Sequence, residues 1–224
     1  DINGEALRDT SGYSVSLSFD GSIVAIGAPE NNNVNGYSGS VRVYKNNLGT
    51  WTKIGADIDG EVELDSFGVS VSLSSDGNIL AIGAYQGRVG LGSDFGYVRI
   101  FQNISGTWTQ IGTDIDGEAL YDYLGYSVSL SSDGSIVAIG VPYNDGNLTS
   151  DSGSVRVYKN NLGTWNQIGA NIDGEAADDW SGFSVSLSSD GNILAIGALN
   201  NNGNGSGSGS VRIYQNSSGT WTQI

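Results

Sequence analysis

The chain has 224 residues, 35 of them glycine, with no cysteine, histidine or methionine, and its formal net charge is −15. That balance excludes nucleic acid and anionic membranes as partners, because both need Lys and Arg to displace counterions. It also removes disulfides, thiolate catalysis and His-ligated metals. The length allows one large domain or two small ones. Regularly spaced Val, Ile, Leu and Ala in a Gly-rich sequence point to an all-β protein with many tight turns. No run of 18 apolar residues occurs, so no membrane insertion is expected. The chain opens on Asp1 inside a repeat pattern, which reads as a mature or excised piece of a longer precursor.

Taken in chain order, one pattern recurs over residues 1–56, 57–113, 114–170 and 171–224. Each repeat begins with an acidic string of D-I-D-G-E type. Next, residues 13–18 of the first repeat alternate Ser with larger side chains, which predicts strand A. Asp20-Gly21 then predicts a two-residue type I′ turn. Residues 23–28 form a short apolar run, strand B. After a loop of variable sequence, residues 40–44 predict strand C, an Asn/Gly turn follows, and residues 50–54 predict strand D around Trp51. Trp108, Trp165 and Trp221 hold the same place and read as packing residues.

Four hairpin-linked short strands cannot bury both faces alone, so the repeats are expected to stack around an axis as the blades of a β-propeller. The A–B and C–D turns would share one face, and the longer B–C and D–A connections the other. Repeats 1 and 3 share S-I-V-A-I-G, and repeats 2 and 4 share N-I-L-A-I-G. This second period suggests duplication of a two-blade unit. It predicts an even blade count: a closed four-blade ring, or half of an eight-blade assembly.

The segments Phe67-Gly68-Val-Ser-Val71 and Gly27-Ala28-Pro29, with the G-x-V-x-[VI]-[YF] pattern at strand C, resemble the FG-GAP repeat of integrin α-subunit propellers and their microbial relatives. The resemblance covers the whole chain, four times. It implies a seven-bladed propeller in extracellular adhesion, with ligand on the B–C and D–A face. The family's calcium sites lie in a long A–B loop. Here that loop is only Ser-Ser-Asp-Gly, too short to wrap the ion, so those sites are not carried over.

Three sets of residues are candidates for chemistry. The D–A acids Asp57, Asp59, Glu61, Asp65, Asp114, Asp116, Glu118 and Asp122 place alternate oxygens around a Gly turn, which could hold Ca²⁺. The same residues equally suit a turn whose carboxylates accept backbone N–H groups. Their recurrence in every repeat is what scaffold positions show, so no catalytic pair is expected. The second set is aromatic. Trp180 stands where other repeats have Thr10, Ser66 and Tyr123, so the scaffold does not demand a ring there. With Tyr121, Tyr123, Tyr143 and Tyr85 it could form a patch for stacking on a sugar or anchoring a protein. The third set is four glycosylation triplets, at Asn103, Asn147, Asn204 and Asn216. Arg42, Arg99, Arg156 and Arg212 share one strand C position and should each meet a recurring acid.

The expectation is a non-enzymatic, extracellular or cell-surface adhesion module binding protein or glycan. A structural building block of a larger assembly and a calcium-assisted lectin are the alternatives. A homo-oligomer, or neighbouring repeats of a longer chain, would complete the ring.

Overall fold

The computed structural model describes residues 1–33, 36–86, 95–145 and 150–224. Each repeat is an antiparallel meander. In the first, β1 (Ser14–Leu17), β2 (Ile23–Ala28), β3 (Ser40–Asn47) and β4 (Thr50–Lys53) lie side by side in chain order. A fifth strand, β5 (Ile58–Asp59), opens the second repeat yet pairs with Val41 and Ser40 of β3. The acidic D-I-D-G string is therefore an edge strand stitching one blade to the next repeat. It is too short to show any period in sequence.

The second blade is β6 (Ser70–Leu73), β7 (Ile79–Ala84), β8 (Tyr97–Ile104) and β9 (Thr107–Gln110), stitched by β10 (Ile115–Asp116). The third is β11 (Ser127–Leu130), β12 (Ile136–Val141), β13 (Ser154–Asn161) and β14 (Thr164–Gln167), stitched by β15 (Ile172–Asp173). The fourth is β16 (Ser181–Leu187), β17 (Ile193–Ala198), β18 (Ser210–Ser217) and β19 (Thr220–Gln223). It has four strands where the others have five.

The A–B turn differs from the type I′ expectation. Only Gly21 has a positive φ, of 70°, and its N–H donates to the Ser18 carbonyl at 2.9 Å. The Asp20 carboxylate accepts from Ser18 Oγ at 2.8 Å and from the Ser22 N–H at 2.9 Å, closing a five-residue connection. The Ser22 N–H and the two Ser hydroxyls lower the Asp20 pKa to about 2. Bonds from Ser188 and then Asn192 do the same for Asp190, also to about 2. Partial burial raises the pKa of Asp76 and Asp133, but hydrogen bonds from Ser74, Asn78, Ser131 and Ser135 outweigh it and leave both lowered.

A depressed carboxylate contributes stability above its unfolded pKa and loses it as pH falls through the folded value. These four carboxylates are exposed, so their share of the stability is modest, and it should be lost as pH falls from about 4 towards 2. Asn replacement at all four Asp positions should flatten that loss in a thermal scan against pH.

The core lies between blades, not within them. Val41, Val43, Ile23 and Ala25 of the first blade pack on Val71, Leu73, Leu80 and Ile82 of the second. The same layers recur between blades two and three and between three and four. Each fully buried Val, Leu or Ile is worth about 1.5–3 kcal/mol. The recurring arginines lie beside these layers. Arg42, Arg99 and Arg156 approach Glu5, Glu61 and Glu118 at 3.2, 2.8 and 3.1 Å, and Arg212 reaches Glu175 at 4.0 Å. Arg99 is also held by Asp114 through both oxygens.

Candidate functional site

The left-handed backbone of the D–A connection sets out the site. Thr10, Ser66, Tyr123 and Trp180 have φ of 52°, 55°, 55° and 56°. This conformation costs a residue with a Cβ roughly 1–2 kcal/mol. Two of these four strained positions carry large aromatic rings, which matches the habit of functional sites to hold strained backbone.

Their rings join one contiguous array. Tyr85 meets Tyr123 edge-on at 5.5 Å, Tyr123 meets Tyr143 at 5.2 Å, and Tyr143 meets Trp180 at 5.3 Å. Tyr121, 55% exposed, lies 6.4 Å from Tyr123. All five aromatic candidates from the sequence are thus brought together. Two further rings join them. Tyr126 sits 5.7 Å from Tyr85 and 6.2 Å from Tyr143, and Phe183 sits 4.9 Å from Tyr126. In sequence Tyr126 and Phe183 are hidden inside the [YVF]-S-V-S-L anchor of every repeat, so their place at the start of strand A reads as scaffold. Burial pushes the Tyr126 hydroxyl up to about 12.

Two features make the array more than packing. Trp180 Nε1 is buried and meets no acceptor among the described residues. An indole N–H without an acceptor is a donor left to be satisfied. Asp151 stands beside the Tyr143–Trp180 end, its backbone carbonyl accepting the Trp180 backbone N–H at 3.3 Å. Burial, reinforced by Asp145 and Asp178, raises the Asp151 carboxyl above the usual carboxylate range. At the other end, a cleft of about 350 Å³ lined by Arg8, Glu30, Tyr37, Ser66 and Tyr85 opens beside the array. Asp151 was legible only as one of several acids in a loop that differs between repeats.

The D–A acids are engaged within the scaffold. Asp57 pairs with Lys53 at 2.7 Å, and Asp59 and Asp116 lie in β5 and β10. Glu61, Asp114 and Glu118 hold arginines. Asp65 Oδ2 accepts the Val62 N–H and the Tyr97 hydroxyl, and Asp122 Oδ2 accepts from Ala119 N and Asn144 Nδ2. Asp9 and Asp179 bind their own loops in the same way. Among the described residues no group of three or more such side chains converges to hold a metal ion.

Asn103 and Asn216 share a turn role. Their Oδ1 atoms accept the Gly106 and Gly219 N–H groups, as Asn46 and Asn160 do in repeats without the triplet. Asn204 is exposed, and Asn147 lies outside the described residues.

Residues 171–214 match the FG-GAP repeat family. A comparison with curated protein sequences finds no match. Among solved structures, the chain resembles the periplasmic gluconolactonase of Pseudomonas aeruginosa with a TM-score of 0.62 and 15% identity, over 94% of this chain and 55% of that one. It resembles the hydrazine synthase of Kuenenia stuttgartiensis with a TM-score of 0.58 and 14% identity, over 100% of this chain and 53% of that one. A Bacteroides uniformis protein provisionally named a 6-phosphogluconolactonase gives a TM-score of 0.52 and 13% identity, over 95% and 70%. The chain therefore spans about half the length of the first two.

These structural neighbours are β-propeller proteins. They overturn the expectation of a non-enzymatic adhesion module, together with its building-block and lectin alternatives, because the propellers whose fold is shared are named as enzymes. The FG-GAP match speaks for the repeat, not for adhesion.

Proposed function

We propose that the chain is a propeller hydrolase acting on an uncharged sugar-derived lactone at the aromatic array. One observation carries the reading: a file of rings ends at Tyr143 and Trp180, where the Asp151 carboxyl, of raised pKa, acts on the Tyr143 hydroxyl and the indole N–H meets no acceptor among the described residues. Aromatic faces stack on the apolar side of a polyhydroxylated ring, and the Trp180 N–H donates to one of its oxygens. Asp151 is placed to act as general base. It takes a proton from a water that attacks the lactone carbonyl, the ring C–O bond breaks, and the leaving oxygen takes up a proton. Water is consumed and a hydroxy acid is released. A base whose pKa is raised towards the working pH suits this step. The names of two structural neighbours support the substrate class. Asp145, Asp151 and Asp178 together disfavour a phosphorylated substrate through like-charge repulsion. We read the four blades as an arc of a larger ring, since the outer faces of the first and last are exposed.

The test is proton release from glucono-1,5-lactone above its spontaneous rate. Asp151→Asn is expected to lower kcat roughly 10²–10⁴-fold, and Trp180→Ala to act mainly by raising KM. Activity should rise with pH as Asp151 ionises, above the 3.8 of a free carboxyl. Wild-type protein that leaves the spontaneous rate unchanged would reject the reading, as would an Asp151→Asn variant of full activity.

A further inference from the structure

We propose that the cleft between the first two blades binds the carboxylate of a polyhydroxy acid, the class of product that the hydrolase releases. The class of ligand rests on the hydrolase reading, but the test is of binding and not of turnover, so the two can fail separately.

The cleft is the place where the aromatic array stops, and it lies at an internal junction. Tyr85 of the second blade and Tyr123 of the third meet at 5.5 Å. One junction back, their repeat counterparts are Pro29 and Ser66, which carry no such ring and line an open space of about 350 Å³. Ser66 Oγ donates to Gln86 Oε1 at 2.8 Å, a pair that corresponds to Tyr123 and Tyr143 in the third repeat.

The strained backbone persists here without the rings. Ser66 and Tyr123 share a φ of 55°, and Arg8 and Leu64, at 70° and 68°, correspond to Tyr121 at 66°. A left-handed arginine gains nothing in folding from that conformation. No internal contact offsets it either. Arg42, Arg99, Arg156 and Arg212 all hold acids, whereas Arg8 is the one arginine among the described residues that pairs with none. Its side chain lines the cleft.

The lining suits one ligand class. A guanidinium fork takes a planar carboxylate through two parallel N–H bonds. Tyr37 and Tyr85 supply apolar ring surface for a carbon chain. Glu30 supplies acceptors, and the Gln86 amide a donor, for its hydroxyls. Glu30 forms no ion pair with Arg8 among the described residues, so both are available to a ligand. Inorganic phosphate would set its greater charge against Glu30, and like-charge repulsion disfavours it. A monoanionic polyol acid meets Arg8 with its one charge and Glu30 with its hydroxyls.

Charge also separates the two ends of the array. At the Trp180 end Asp145 and Asp178 act on Asp151, so a newly formed carboxylate is repelled there. Three ring-to-ring steps, of 5.3, 5.2 and 5.5 Å, lead from Trp180 through Tyr143 and Tyr123 to Tyr85, which lines the cleft. The neutral lactone has no such preference between the ends. The cleft thus distinguishes product from substrate by the carboxylate that hydrolysis creates.

The test is calorimetric titration with sodium gluconate and with glucitol, the same polyol without a carboxylate. Gluconate is expected to bind, and glucitol roughly 10-fold more weakly. Arg8→Gln should bring gluconate down to the level of glucitol, and salt at about 1 M should weaken wild-type binding. Ser66→Tyr should abolish binding by filling the cleft. It should fold normally, since Tyr123 holds the same repeat position at the same φ of 55°. Circular dichroism checks that both variants keep the wild-type fold. No binding of gluconate, equal binding of glucitol, or phosphate competing as well as gluconate itself would overturn the proposal. Gluconate binding that survives Arg8→Gln and strengthens in Asp151→Asn would place the acid at the hydrolytic end, and overturns it too.

Discussion

Replacing Gly140 with alanine is expected to destabilise the protein by about 3 kcal/mol or more, near the upper end of overpacking costs. A Cβ there would lie 2.0 Å from the Gly182 carbonyl oxygen and 2.3 Å from Ser127 Oγ. The hydroxyl can rotate away. The carbonyl is backbone of the next blade and cannot move unless the two blades part. Gly197 occupies the same repeat position on the last blade, where the new Cβ meets only Ser184 Oγ, at 2.3 Å. Gly197→Ala should then cost less than about 1 kcal/mol. Both are best measured by urea unfolding. Equal losses at the two positions would show that the glycine serves its own hairpin, not the junction.

The second large effect is at Arg156. Its side chain is fully buried, 3.1 Å from Glu118 Oε2 and 3.6 Å from Asp122 Oδ2. Arg156→Met removes the only cation near a buried Asp122 among the described residues. Burial already raises the Asp122 pKa, and hydrogen bonds from Asn144 and the field of Arg156 counter that rise. Breaking a buried pair by removing one partner costs about 3–5 kcal/mol, or roughly 10 °C in melting temperature for a chain of this size. Asp122→Asn in the Arg156→Met background should return much of the loss, because a neutral amide tolerates the site. Glu118 is 65% exposed and is left in water, so it adds little. Losses at Arg156 and Asp122 that simply add would rule out the pairing.

Strand order was legible because Ser-x-Ser alternation, the apolar run and the Trp-centred strand recur without register shifts. The features that sequence hid are those set by neighbouring blades. Ile58–Asp59 makes a strand only because β3 offers it an open edge, and two residues carry no period of their own. The A–B connection was mistyped because Asp-Gly signals a two-residue turn, whereas the Asp20 carboxylate bridges Ser18 and Ser22 and widens it. The aromatic candidates emerged as departures from the repeat. Tyr126 and Phe183 could not, because each is an ordinary occupant of its anchor position. Asp151 acquires its raised pKa from burial and from the nearby Asp145 and Asp178, which spacing does not reveal.

The stitch strands bear on how the molecule would yield under tension. Each of the first three blades is clasped by the opening residues of the repeat that follows, so covalent unit and structural unit are out of step by one strand. A pull on the carboxyl end loads the fourth blade first, and it is the blade without a clasp. Its release withdraws Ile172–Asp173 from β13 and strips the third blade of its own. The chain would thus peel in single-repeat steps from one end, like a row of overlapping tiles lifted from the last laid.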